Sequence, residues 1–189
     1  MPPSDHDFLE RLRHRDASAL AELYERYADR LYRLGRRILH DSNTADDIVQ
    51  TTFMALIESI DNFEGRASIG TWLYRVAYNE ALALLRARQP VPLFEETDDI
   101  SPPQALCDWS ALPEDAADHA EAAGQIDAAM EALPPVLRAV FQLRDVDDLS
   151  TRDTAEALGM TETAVKVALH RARLRLREHL SAYFIEYRA

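Results

Sequence analysis

Apolar residues recur every three or four positions along most of the chain. Leu20, Leu23, Tyr24, Tyr27, Leu31, Leu34 and Ile38 keep that spacing over nineteen residues and lay one stripe on a helix, with Asp16 placed to cap it. "HDSN" interrupts the pattern. A second helix is predicted to start at Asn43 or Thr44, with Asp46 and Asp47 in its first turn facing the positive end of the helix dipole. Its apolar side is Ile48, Val49, Phe53, Leu56, Ile57 and Ile60. "DNFEGRAS" breaks the periodicity again. A third helix follows, with Trp72, Leu73, Val76, Ala77, Leu82 and Leu85 as its inward positions. No stretch shows the strict alternation of a strand.

The pattern then stops. Pro90, Pro92, Pro102, Pro103 and Pro113 recur too often for a helix to persist, so residues 89–117 read as a linker. Helical periodicity returns in "AEAAGQIDAAMEAL" and ends at Pro134-Pro135, where the second proline suits the first position of a new helix carrying Val136, Leu137, Val140, Phe141 and Leu143. Ser150 with Asp153 resembles a capping box before "TRDTAEAL". Gly159 fits a left-handed helix end, and Thr161 fits the cap of a last, long helix. The expected fold is all-α: a helical domain at 1–88, a linker at 89–117 and a second helical domain at 118–189.

Charge changes this picture in one respect. The chain carries a formal net charge of −12, yet residues 89–137 hold 11 acidic residues and no Lys or Arg, while 1–88 hold 14 acids against 12 bases and 138–189 hold 8 against 9. The acidity belongs to the middle, and the flanks remain free to meet nucleic acid. The final helix is basic, with Lys166, Arg171, Arg173, Arg175 and Arg177. Cys107 is the only cysteine, which rules out an intrachain disulfide and suits a reducing cytoplasm. The N-terminal residues lack the apolar core of a signal peptide, and no run approaches the ~18 apolar residues that span a bilayer. The six histidines and one cysteine show no metal-ligand spacing, and no phosphate-cradling glycine loop or nucleophile motif is present, so no metal, cofactor or catalytic role is expected.

The last two predicted helices, joined by a short glycine-containing turn, have the form of a helix-turn-helix. Counting from Thr151, Ala155 is the fifth residue, where only a small side chain lets the helices cross closely. Gly159 is the ninth, at the turn, and Val165 the fifteenth, where an apolar residue locks the pair. Val165, Leu169, Ala172 and Leu176 form the inward stripe. Thr163, Lys166, Val167, His170, Arg171 and Arg173 are left facing outward or sideways, as a helix lying in a DNA major groove requires. A plain helix pair with a solvated arginine face has the same outline.

Two longer stretches are more specific. "LPPVLRAVFQLRDVDDLSTRDTAEALGMTETAVKVALHRARLRLRE" resembles region four of RNA polymerase sigma factors of the extracytoplasmic-function group, within the sigma-70 family. "TADDIVQTTFMALIESIDNFEGRASIGTWLYRVAYNEALALLRAR" is similar to their region two, and the order along the chain is the family's. The resemblance implies a non-enzymatic factor that binds core RNA polymerase, directs it to selected promoter DNA, helps to open the duplex, and is held silent by a dedicated anti-sigma protein. It implies a cytoplasmic protein with no membrane insertion.

The family's motifs place roles on residues of this chain. "DDIVQTTF" corresponds to the helix that binds the polymerase clamp, so Asp47, Gln50 and Thr51 are candidate polymerase contacts; the family often has Glu where Thr51 stands, and Phe53 reads as core. "NFEGRASIGTWLYRVAYN" corresponds to the melting region, where Asn62, Phe63, Arg66, Ser68 and Ile69 form a loop for an extruded base and Trp72, Arg75 and Asn79 lie on the helix behind it. Trp72 is equally a core aromatic on its own pattern. "TETAVK" and "LHRAR" place Thr161, Glu162, Thr163, Lys166, Val167, His170, Arg171 and Arg173 on the upstream promoter element, with Ala168 where the family usually has Arg. The rival readings are a helix-turn-helix regulator acting without core polymerase, which leaves "DDIVQ" and "GTWLYRVAYN" unexplained, and a helical enzyme with a carboxylate-rich site, for which the acids are in the wrong places.

Overall fold

The computed structural model describes residues 5–88 and 120–187, which are helical with no strand among them. The linker predicted over 89–117 lies outside the described residues. The chain divides into two compact units.

The first unit contains α1 (Asp5–Arg13), α2 (Ala17–Leu39), α3 (Ser42–Ser59), a 3-10 turn (Ile60–Asn62) and α4 (Ile69–Arg88). The α2, α3 and α4 helices pack on one another. Leu23, Leu31, Leu34 and Ile38 of α2, Ile48 and Leu56 of α3, and Leu73, Tyr74 and Ala77 of α4 are all but removed from solvent and make the core. Gly35 lets α2 and α3 approach closely: a Cβ there would lie 3.1 Å from Ile48 Cδ1 and 3.4 Å from Ala45 Cα. Two members of the predicted stripes stand on the surface. Tyr24 and Ile57 are exposed, although the Tyr24 ring still leans on Phe53 with centroids 5.0 Å apart.

Asp16 caps α2 as its position predicts, accepting hydrogen bonds from the Ser18 and Ala19 amides. The start of α3 is earlier than the apolar pattern suggests. His40 ends α2 in the left-handed conformation (φ 55°), which turns the chain sharply enough for Asp41, not Asn43 or Thr44, to cap the next helix. Asp41 accepts from the Asn43 amide and the Thr44 hydroxyl, and Arg88 reaches back to it at 3.0 Å from the end of α4. The Thr44 hydroxyl is followed by Arg88 in lowering the Asp41 carboxyl below its ordinary value. The α1 helix has no counterpart in the sequence reading. It is only nine residues long, and among its described side chains Leu12 alone is fully buried.

The second unit takes in α5 (Ala120–Glu131), α6 (Pro135–Phe141), a π-helical turn (Gln142–Val146), α7 (Thr151–Leu158) as far as Ala155, and α8 (Glu162–Tyr187). Both α5 and α6 pack on α8. Pro135 occupies the first turn of α6. The buried Arg138 donates to the carbonyls of Leu133, at 2.5 Å, and Glu131, satisfying groups that the end of α5 leaves open. The apolar run predicted to continue through Leu143 leaves α-geometry after Phe141 and passes into the π turn. Ser150 accepts from the Asp153 amide at 3.0 Å, Gly159 adopts φ 66°, and Thr161 accepts from the Ala164 amide at 3.1 Å.

Candidate nucleic-acid and polymerase interfaces

Three surfaces carry the residues singled out by sequence. The first is the connection between the 3-10 turn and α4. Gly65 takes φ 70°, a conformation that a side chain would strain, and so allows the loop to fold back on α4. On the loop and the start of α4, Asn62, Phe63, Arg66, Trp72 and Arg75 border an open concavity. Phe63 and Trp72 form its aromatic wall, edge to face, with centroids 6.4 Å apart and planes at 80°. Both rings are half-buried, so Trp72 is neither a closed core residue nor a loose one. Asn62, Arg66 and Arg75 are exposed, and Arg66 donates to Glu64 at 2.6 Å.

Ser68, Ile69 and Asn79, predicted with these five, lie elsewhere. Ser68 caps α4: its hydroxyl accepts from the Thr71 amide at 3.0 Å and shares a hydrogen bond with the Thr71 hydroxyl at 2.8 Å. Ile69 is half-buried at the first position of α4. Asn79 is exposed two turns beyond Trp72 on the same helix.

The second surface is the outer face of α3. Asp47, Gln50 and Thr51 are exposed there. Met54 and Ile57 continue the same face at helical spacing and are 61% and 39% exposed, with Tyr24 of α2 at 52%. These three apolar residues were not among the predicted contacts. The signal for Met54 was its place outside the inward stripe, whereas Ile57 and Tyr24 looked like core.

The third surface is α8. Val165, Leu169, Ala172 and Leu176 are buried, as is Ala155 at the crossing with the turn. Thr161, Glu162, Thr163 and Lys166 are exposed; Val167, His170, Arg171 and Arg173 are half-buried. Arg173 is not turned outward. Its guanidinium makes two hydrogen bonds to Asp145 of the π turn, at 2.8 and 2.7 Å, with both side chains largely covered. Ala168 is also buried, so the position where the family usually has Arg faces inward here.

The Sigma-70 region 2 family model matches residues 23–91 and the Sigma-70 region 4 model matches residues 123–176. The chain is 31% identical over 178 residues to the ECF RNA polymerase sigma factor SigW of Bacillus subtilis, covering 91% of this chain and 94% of that one. The chain belongs to the extracytoplasmic-function (ECF) RNA polymerase sigma factors. A second relative, the RNA polymerase sigma-E factor of Streptomyces avermitilis, is 32% identical over 176 residues, a match that covers 93% of each chain. In fold, this sigma factor is similar to CnrH in complex with the cytosolic domain of CnrY, with a TM-score of 0.69, 23% identity and coverage of 95% of this chain and 99% of that one. It is also similar to the sigma factor RpoE in complex with the anti-sigma factor NepR from Bartonella quintana, with a TM-score of 0.62, 23% identity and coverage of 85% and 96%. The region 2 match spans α2 to α4 and leaves α1 outside it; the region 4 match takes in the helix-turn-helix. Among the described residues no helix is long and apolar enough to cross a membrane, and no cluster of His, Cys, Asp or Glu could hold a metal ion.

Proposed function

We propose that this sigma factor divides its work among the three surfaces. The face of α3 with Asp47, Gln50, Thr51, Met54 and Ile57 docks core polymerase; an apolar centre with a polar border is the composition of a protein-binding patch. The concavity at Phe63 and Trp72 captures an unpaired base of the downstream promoter element. The exposed edge of α8, led by Lys166, reads the upstream element as duplex.

The single observation that carries this reading is the Phe63–Trp72 wall. Two half-buried rings beside exposed Asn62, Arg66 and Arg75 offer an apolar face for stacking and polar groups for a base edge. Duplex readout needs no such wall. On a plain connector the same rings would leave apolar surface in water for no return.

The protein is then a non-enzymatic initiation factor that works in the cytoplasm. The solved relatives bound to an anti-sigma factor support an inhibitor of the same class for this chain. The test is transcription from a random-promoter library by purified core polymerase with the wild-type factor, Asn62→Ala and Lys166→Ala. Lys166→Ala should lose selection at the upstream element, and Asn62→Ala should bind promoters but open them slowly, with fewer permanganate-reactive thymines in the bubble. A chain that selects no promoter, or that acts without core polymerase, would return the helix-turn-helix regulator as the better reading.

A further inference from the structure

The melting loop is held from behind by a helix that the region 2 match does not include. At the end of α1 the sequence "RLRHRD" (11–16) places three arginines on alternate residues, and each reaches a different anchor. Arg11 donates to Asp16 at 3.0 Å and to the Ser18 hydroxyl at 2.8 Å, closing the corner between α1 and α2. Arg15, in the left-handed conformation at φ 53°, points to Asp61 at 3.4 Å. Arg13 crosses to the loop itself, and its Nη2 donates to the Phe63 carbonyl at 2.8 Å. Its Nη1 is held by Glu10 at 2.5 Å. Leu9, from the same helix, stands 4.0 Å from where a Cβ on Gly65 would be.

Phe63 is therefore fixed at both ends of its peptide. Its amide donates to Ile60 at 3.1 Å, and its carbonyl accepts from Arg13. These two bonds fix the backbone from which its ring projects onto Trp72. A loop carbonyl normally satisfied by water has here been given a charged donor on a short helix that, among its described side chains, buries only Leu12 fully. That arrangement does little for the core and much for the position of one aromatic ring.

We propose that Arg13 is a positioning residue for base capture: through the Phe63 carbonyl it holds the aromatic wall of the loop ready for an unpaired base. This rests on the reading of the Phe63–Trp72 concavity as the base-binding site. Arginine suits the task because its planar fork serves Glu10 and Phe63 together, in a geometry that the single ammonium of lysine does not reproduce.

The probe is a fluorescent single-stranded oligonucleotide carrying the non-template downstream element, bound to holoenzyme assembled with the full chain. Arg13→Ala should weaken its binding about tenfold, the scale of one hydrogen bond to a charged donor. Affinity for core polymerase and for upstream duplex should stay within about twofold, a split that general loss of structure does not produce. Arg13→Lys should fall between, and Glu10→Gln, which leaves the carbonyl bond in place, should retain capture. Arg26→Ala, on an exposed pair in α2, is the control. Amides of residues 63–67 should exchange faster with deuterium in Arg13→Ala. Capture unchanged in Arg13→Ala but lost in Asn62→Ala would overturn the proposal and leave the base-capture reading standing. Capture unchanged in both would overturn both. Equal losses of capture and of core-polymerase affinity in Arg13→Ala would reduce Arg13 to a residue of the fold and overturn the proposal.

Discussion

Replacing Gly70 by alanine is the sharpest test of how the first unit places the start of α4. Gly70 lies in the first turn of α4, two residues after the Ser68 cap and two before Trp72. A Cβ at this position would come within 2.3 Å of the Tyr27 hydroxyl, 2.7 Å of its Cζ and 2.8 Å of its Cε1. All three atoms belong to one phenol, and that phenol is not free to swing. Its ring meets the buried Tyr74 edge-on, with centroids 6.2 Å apart and planes at 84°. Overpacking of this kind costs about 1–3 kcal/mol, and an overlap of this size belongs in the upper half of that range. Against it stands the helix preference of alanine over glycine, about 1 kcal/mol. The net expectation is a loss of roughly 1–2 kcal/mol.

A double-mutant cycle separates the two contributions. Tyr27→Leu removes the hydroxyl, Cζ and Cε1 while keeping an apolar body against Tyr74. In that background the clash is gone, and Gly70→Ala should stabilise by up to about 1 kcal/mol. The sign of one substitution thus reverses with the identity of a single neighbour. Urea unfolding followed by circular dichroism gives the four free energies, and hydrogen exchange of α4 amides assigns the change to the first unit. A neutral or stabilising Gly70→Ala in the wild-type chain, or an equal loss in the Tyr27→Leu background, would refute the packing argument. Gly70→Ala should also slow promoter opening, because the turn that must move carries Trp72.

Three further outcomes are expected. Lys166→Ala and Arg171→Ala should weaken upstream-element binding; a lost phosphate contact reduces the salt slope by about one, whereas a lost base contact costs about 1–3 kcal/mol at one position and relaxes specificity there, which a binding-site library at several salt concentrations distinguishes. Asp145→Ala should destabilise the chain by about 1–2 kcal/mol, discounted for the partial exposure of the pair, and raise non-specific DNA binding as Arg173 is released, to be read by urea titration and by filter binding to random duplex. Asp16 is held well below its usual carboxylate range by the Ser18 hydroxyl and then by Arg11, and Asp41 is lowered by the Thr44 hydroxyl and then by Arg88. The stability that each cap contributes is therefore present above the ordinary value of 3.8 and lost as pH falls through the lower folded value, so acid titration of Asp16→Asn, monitored by helix content, should show a shallower decline than wild type below that point.

Local signals carried most of the helical frame. The stripe of α2, the cap at Asp16, Pro135 at a helix start, left-handed Gly159 and the Thr161 cap each depend on residues within a turn of one another, which is the range over which sequence pattern is informative. What escaped depends on longer reach or on unusual backbone. The α1 helix is too short for its period to stand out, and its hold on the loop joins residues 50 apart. The Asp41 cap follows from a left-handed His40, a conformation that few non-glycine residues adopt. The π turn shifts the register after Phe141, which nothing in "FQLRDV" announces. At the candidate base-capture site the sequence named the residues that border the concavity but could not separate them from their neighbours. Asn62, Phe63, Arg66, Trp72 and Arg75 meet in the concavity, whereas Ser68 is engaged in capping α4 and so offers a base less than its position suggests.

The basic last helix of so acidic a chain can now be divided by function. Basic residues on α8 are not equivalent. Lys166 stands exposed near its N-terminal end, the part of a recognition helix that meets base edges. Arg173 lies about two turns further on and is fixed to Asp145, so its charge is largely answered within the unit. Alanine at 168 fits the same scheme. Its position faces the interior, so the small side chain removes no outward contact; on the proposed reading, the upstream element meets Lys166 and Arg171. Net charge does not oppose this, because at physiological salt a charge acts over a Debye length of about 8 Å, and each phosphate meets its nearest partners rather than the sum over the chain. The salt slope of promoter binding should then count the few phosphates neutralised by α8, and Arg173→Ala should leave that slope unchanged while Lys166→Ala or Arg171→Ala lowers it.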